Sequence, residues 1–163
     1  MRRFLSAWLD RSGGGSNGQN DRSTRINQSP LTSDRSAADA RSLEHACLCA
    51  QAADEFRGKD IVILDLRKIT PVFDFFVIVT AGSPRLMRSI AEEADRQLKL
   101  SGSRRLGAEG HDSATWILHD YGDVVLHIFS AEARANYDLE RLWADAPQVP
   151  WQTLATSSGT TTD

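Results

Sequence analysis

A chain of 163 residues with 40% hydrophobic side chains carries enough apolar surface for one domain plus its two ends. Its formal charge of −3 is unevenly spread: residues 1–36 hold six Arg and three Asp, so of 19 basic and 22 acidic residues the rest of the chain keeps 13 and 19, a net −6. An acidic body tracks phosphates poorly, which sets direct nucleic-acid binding aside and favours a basic protein partner.

Residues 1–36 contain Gly13-Gly14-Gly15, many Ser and Asn, and few apolar residues beyond Phe4, Leu5, Trp8 and Leu9. Such a segment cannot bury enough surface to offset its ordering entropy, and it is expected to be a disordered tail. No apolar run approaches the roughly 18 residues that span a bilayer, and the Phe4 to Leu9 patch is too short for a signal peptide. The Arg- and Ser-rich leader has the composition of a mitochondrial transit peptide, diluted by Asp10, Asp21 and Asp34. Cys47 and Cys49 fit a reducing compartment better than a disulfide scaffold.

The folded domain is expected over residues 37–151. From Ala37 to Arg57, apolar side chains recur at Leu43, Cys47, Ala50 and Ala53, and Gly58 stands where a left-handed residue stops a helix. Ile61-Val62-Ile63-Leu64 and Phe75-Phe76-Val77-Ile78-Val79 are short apolar runs, read as strands covered on both faces, with Thr70-Pro71 forcing an extended connection between them. Ser83 and Pro84 occupy the N-cap and first position of a second helix, whose stripe is Leu86, Ile90, Ala94 and Leu98, ended by Gly102. A short strand at 106–109 and a hairpin at 114–129 follow, the hairpin turning at Asp120-Tyr121-Gly122 in a type I turn closed by Gly122. If His119 pairs with Asp123, then Trp116, Leu118, Val124, Leu126 and Ile128 share one face, and a slip of one residue exchanges the faces of one strand. Ser130 caps a last helix running to about Trp143, and residues 152–163 form a Ser/Thr-rich tail. The order α-β-β-α-β-β-β-α predicts an α/β fold: a mixed sheet of about five strands flanked by helices.

Four constellations invite chemistry. His45-x-Cys47-x-Cys49 has the residue types of a metal cluster, but positions two apart on a helix point about 160° apart, so Cys47 is read as core and Cys49 as incidental. Gly82-Ser83 before a helix has the form of a phosphate cradle, yet no alternating acidic pair follows on a strand to hold Mg²⁺, and an ordinary capped helix is the simpler reading. His119, Asp120, Asp123 and His127 are residue types of acid–base or metal sites, with no nucleophile in the same segment; His127 is expected to be a satisfied, partly buried histidine. Trp116 reads equally as core or as an interface anchor, whereas Tyr121, at a hairpin tip, is expected to be exposed. Tyr137, Leu139, Leu142 and Trp143 read as helix-to-sheet packing. No catalytic residue, metal or cofactor is expected. The candidate partner-binding residues are Glu109, Trp116, Asp120 and Tyr121.

Taken in order, Asp74-Phe75-Phe76-Val77-Ile78, Gly82-Ser83, Glu109-Gly110, Trp116, Asp120-Tyr121-Gly122-Asp123-Val124-Val125, His127-Ile128-Phe129, Arg134, Tyr137, Leu139-Glu140 and Leu142-Trp143 resemble the ribosomal silencing factor, or Iojap, family. The likeness runs from about Leu43 to Trp143. It implies a nucleotidyltransferase-like fold without transferase chemistry and a translational repressor. Such a repressor binds the large ribosomal subunit through its protein L-fourteen and blocks joining of the small subunit. A homodimer in isolation and a cytoplasmic location in bacteria are implied too, with mitochondria as the alternative that the leader raises. Phe75 departs from the family's usual Tyr. The competing readings are a metal-dependent nucleotidyltransferase, which needs a paired acidic site, and a protein-binding adaptor unrelated to ribosomes.

Overall fold

The computed structural model describes residues 31–157. The remainder of the two expected tails, residues 1–30 and 158–163, and with it the transit-peptide reading, lies outside the described residues. Helix α1 spans Leu31–Glu55, followed by strands β1 (Lys59–Asp65) and β2 (Phe75–Thr80), helix α2 (Pro84–Leu100), and strands β3 (Gly107–Glu109), β4 (Trp116–Asp120) and β5 (Val124–Phe129). Three short helices close the chain: α3 (Ala131–Tyr137), α4 (Leu139–Leu142) and α5 (Trp151–Ser157). The five strands form one mixed sheet in the order β1-β2-β5-β4-β3, in which only β2 and β5 run parallel. The expected α/β class and strand number are thus observed.

Helix α1 starts six residues before the expected Ala37, so the tail boundary at 36 is corrected to a point ahead of Leu31. Asp34 sits in its first turn, where the helix dipole favours an acid, and Ala37, Ala38 and Ala40 are strong helix formers. This part of the helix is nearly all exposed and stands on propensity rather than packing. Further along, the buried residues are Ser42, Ala46, Cys49, Ala50, Ala52 and Ala53, so Ala50 and Ala53 of the expected stripe are core while Leu43 and Cys47 lie at its margin. The assignments of the two cysteines are therefore reversed: Cys49 is core and Cys47 half-buried. Small side chains on this stripe let the helix approach the sheet closely.

Gly58 is needed for a different reason from the one its position suggests. Arg57, with φ 58°, takes the left-handed geometry after α1. A Cβ on Gly58 would lie 2.8 Å from Val79 Cγ1 and 2.9 Å from the Ala53 carbonyl oxygen, so glycine is required by close approach. Strand β1 lies at the sheet edge and is partly exposed, whereas β2 is buried throughout, so only the second of the two apolar runs is covered on both faces. The outer edge of β1 is partly covered by residues 147–149: Asp65 N–H donates to the Pro147 carbonyl (2.9 Å) and Val149 N–H to the Ile63 carbonyl (2.9 Å).

Ser83 caps α2 as expected, its hydroxyl accepting from Leu86 N–H at 3.2 Å with Pro84 at the first helical position. The buried stripe is Met87, Ile90, Ala91, Ala94 and Leu98; Leu86 lies at its margin. The hairpin register is Asp120↔Val125 and His119↔Leu126, so the assumed His119–Asp123 pairing is wrong and the faces of β5 exchange. Ile117, His119, Tyr121, Val124, Leu126 and Ile128 face α1 and α2. Trp116, Leu118, Val125, His127 and Phe129 face α3 and α4. The loop is only Gly122-Asp123, because Tyr121 N–H still donates to the Val124 carbonyl (2.9 Å). Gly122 (φ 93°) holds its first position, as a type II′ turn requires, rather than closing a type I turn.

The expected last helix is broken. Ser130 caps α3, accepting from Ala133 N–H at 3.2 Å, but Asp138 adopts φ 42° and turns the chain before α4. Asp tolerates this geometry better than most non-glycine residues. Beyond it, α5 occupies the start of the expected C-terminal tail, held by buried Trp151, whose Nε1–H donates to the Ile61 carbonyl at 3.4 Å. Composition missed α5 because one tryptophan, not a periodic stripe, anchors it.

Candidate docking face and a buried polar cluster

The structure separates the four candidate residues. Trp116 is 1% exposed; its ring lies 4.8 Å from Phe129 and 4.5 Å from Tyr137 between centroids, and its Nε1–H donates to His127 Nδ1 at 3.3 Å. It is core, and the anchor reading is corrected. Tyr121, 5% exposed, is also corrected: the two-residue loop leaves it in the strand alternation, so its ring enters the core and its hydroxyl donates to Asp95 Oδ1 at 2.6 Å. Glu109 and Asp120 remain half-exposed at the β3–β4 edge. Asp120 Oδ1 accepts from Gly122 N–H at 2.8 Å and so helps close the turn. Glu109, opposite Leu118, shares the sheet side that carries α3 and α4.

Tyr121 belongs to a polar cluster that sequence separation concealed. Asp95, on α2, also meets His119 Nδ1 (3.1 Å) through Oδ1 and pairs with Arg105 through Oδ2. His119 Nε2 in turn lies 2.8 Å from His111 Nε2 in the β3–β4 loop. The tautomer satisfying both contacts has His119 donate from Nδ1 to Asp95 and accept from His111 at Nε2. Burial pushes the His119 pKa down to about 4, against the pull of Asp95 and with help from Arg105 and His111. Burial also raises the Tyr121 phenol well above its ordinary value. Every member has a partner within the cluster, and among the described residues no serine, cysteine or lysine is seen hydrogen-bonded to it, although the buried Cys49 thiol is near enough to help raise the Tyr121 phenol. The arrangement ties α2 to β4 rather than presenting a nucleophile and base to a substrate. The legible signal was His119 alternating with Ile117 and Tyr121; nothing in the sequence pointed to Asp95 or Arg105.

Asp123, one of the acid–base candidates in the sequence, comes together instead with Asp74, which was not among them. Asp74 and Asp123 precede adjacent residues of the parallel strands β2 and β5, and Asp74 N–H donates to the Asp123 carbonyl at 2.8 Å. Their carboxylates are engaged by α1: Ser42 Oγ–H donates to Asp74 Oδ2 (2.6 Å), and His45 Nδ1 pairs with Asp123 Oδ2 (3.0 Å). Among the described residues no group of three or more His, Cys, Asp or Glu is placed to hold a metal ion.

On the opposite side, His127 is fully enclosed. Because Nδ1 accepts from Trp116, its proton sits on Nε2, which has no hydrogen-bond partner; the expected satisfied histidine is only half satisfied. Burial lowers its pKa to about 3. Above this core, the α3–α4 elbow exposes Tyr137 (45%) and Leu142 (63%), which with Asp138 and Arg141 line a shallow depression. Leu139 is buried, as helix-to-sheet packing demands, and Tyr137 packs on Trp116 and Phe129 with its remainder exposed, whereas Leu142 is not spent on the sheet. Asp138 and Arg141 give the depression one acidic and one basic side chain. Arg134 does not serve this surface as a free cation. It donates to Glu140 Oε1 (2.9 and 2.5 Å), the Asp60 carbonyl (2.5 Å) and Thr80 Oγ1 (3.0 Å), fastening the elbow to the sheet.

Residues 39–163 match the family described as ribosomal silencing factor during starvation, RsfS. The chain belongs to the ribosomal silencing factor family. The Bacillus subtilis ribosomal silencing factor RsfS is 41% identical over 100 residues, 61% of this chain and 85% of that protein. The chloroplastic protein Iojap of Zea mays is 32% identical over 111 residues, covering 68% of this chain and 48% of its own length. A crystal structure of a Chromobacterium violaceum protein, 38% identical, superposes with a TM-score of 0.60 over 62% of this chain and 84% of that one. The ribosomal silencing factor fold is thus the mixed sheet described above. No helix among the described residues is long and apolar enough to cross a membrane.

Proposed function

We propose that this protein is a translational repressor that binds the large ribosomal subunit through ribosomal protein L-fourteen and, by occupying space, keeps the small subunit from joining. Membership of the ribosomal silencing factor family is the observation that carries this reading. The net −6 over residues 37–163 supports it, since an acidic body is steered toward a basic ribosomal protein. The repressor acts without turnover, is homodimeric when free, and works where ribosomes are, the cytoplasm of a bacterial cell.

With Trp116 and Tyr121 turned inward, the docking face moves to the elbow: Tyr137 and Leu142 supply apolar contact, and Glu109 and Asp120, on the same side of the sheet, supply acidic contacts to basic side chains of the partner. Leu142→Asp is expected to weaken binding to purified large subunits by roughly 2 kcal/mol, about thirtyfold, while leaving the melting temperature unchanged, because Leu142 is an exposed anchor rather than core. Glu109→Lys should weaken it more at low salt than at high salt. Wild-type binding by both variants would place the docking face elsewhere, and equal binding to subunits lacking protein L-fourteen would remove that protein as the partner.

A further inference from the structure

The β3–β4 loop brings two imidazoles together at the margin of the buried polar cluster. Of the four histidines, His45 is spent on Asp123 and His127 is enclosed in the core, whereas His111 and His119 face each other. Their Nε2 atoms lie 2.8 Å apart while the ring centroids are 5.0 Å apart, so the rings meet end to end rather than stack. We propose that this pair is a binding site for a borderline divalent transition-metal ion of the Zn²⁺ type, with the two Nε2 atoms as its protein ligands and Asp95 as the carboxylate behind His119.

Imidazole suits zinc, copper and nickel, and a metal-bound histidine characteristically donates its other ring N–H to a carboxylate that fixes its tautomer. His119 already stands in that arrangement. Its Nδ1 faces Asp95 Oδ1 at 3.1 Å, and Asp95 is itself held by the Tyr121 hydroxyl at 2.6 Å and by Arg105. The Nε2 lone pair of His119 is therefore aimed at His111 before any ion arrives. In the metal-free chain it accepts the His111 Nε2 proton; with an ion bound, His111 carries that proton on Nδ1 instead, and no net proton is lost. Two zinc–nitrogen bonds of about 2.0–2.1 Å at a tetrahedral angle separate the nitrogens by roughly 3.3 Å, so the pair opens by about 0.5 Å. That movement falls on His111, which lies in the loop turn where Ser113 N–H donates to the Gly110 carbonyl (2.8 Å), not in a strand. Buried His119 supplies the fixed ligand, and half-exposed His111 leaves a side from which water fills the remaining positions. A bound ion fastens the loop to the sheet and adds to folding stability. The inference is independent of the ribosomal reading, since it uses none of the residues placed on the docking face.

Zinc chloride is titrated calorimetrically into the full-length protein, into His111→Gln and into Asp95→Asn. All three carry Cys47→Ser, which removes the half-buried thiol, while Cys49 is enclosed. Glutamine at 111 keeps an N–H for His119 but offers no imidazole. A single-site isotherm is expected for the parent. Affinity should fall at least about tenfold in His111→Gln, and roughly 10–100-fold in Asp95→Asn, the range for losing a carboxylate behind a ligand. The melting temperature should rise with Zn²⁺ in the parent and not in His111→Gln, and Mg²⁺, which demands oxygen ligands, should leave both unchanged. His111→Gln alters a half-exposed loop residue, so the test stands even if Asp95→Asn does not fold. No zinc uptake by the parent would overturn the proposal, as would undiminished uptake by His111→Gln or by a folded Asp95→Asn.

Discussion

Trp116→Ala is expected to cost roughly 3–5 kcal/mol of folding stability, the range for deleting a large buried aromatic side chain. For a domain of this size that corresponds to a fall in melting temperature of roughly 10–25 °C. Two losses add up: the cavity left between Phe129 and Tyr137, and the donor that His127 Nδ1 receives from the indole. Urea unfolding of the two proteins checks this. A variant with a wild-type unfolding midpoint and weakened subunit binding would return Trp116 to the docking face.

Acid should destabilise the fold well above the range in which carboxylates titrate. Burial depresses His119 to about 4 and His127 to about 3 from an ordinary value of 6.5. In the unfolded chain both take up a proton near pH 6.5, whereas the folded chain resists it, so the unfolded state binds more protons between 6.5 and 4. Stability is therefore full above pH 6.5 and declines as pH falls through that window, by about 1 kcal/mol per pH unit for each histidine. The His119 contribution runs out near pH 4 and the His127 contribution near pH 3. Unfolding midpoints at pH 7, 6 and 5 should drop steadily, and His127→Phe should roughly halve the slope. A flat profile from pH 7 to 5 would mean that these imidazoles are protonated in the native state.

The element order and family were legible because they rest on local signals: apolar runs for the strands, Ser83-Pro84 for α2, and an ordered series of short motifs. The site was less legible, because facing depends on one integer. Shifting the hairpin register exchanged the faces of β5, and shortening the loop drew Tyr121 into the ladder, where an exposed tip was expected. Partners brought from afar had no sequence signal at all: Asp95 meets Tyr121 from another element, and Ser42 and His45 reach Asp74 and Asp123 from α1. The elbow was missed because Tyr137, Leu139 and Leu142 fit a helical stripe. Only the left-handed turn at Asp138 divides them into one buried residue and two exposed ones.

A folded, acidic domain is proposed to stop subunit joining by occupancy alone. Small and large subunits are mixed under joining conditions with increasing amounts of the full-length protein and separated on a sucrose gradient. The joined-ribosome peak is expected to shrink in proportion to the protein bound on large subunits, with nucleotide levels unchanged, and Leu142→Asp to shift the titration to higher concentration. A joined peak that persists when large subunits are saturated with the protein would contradict it.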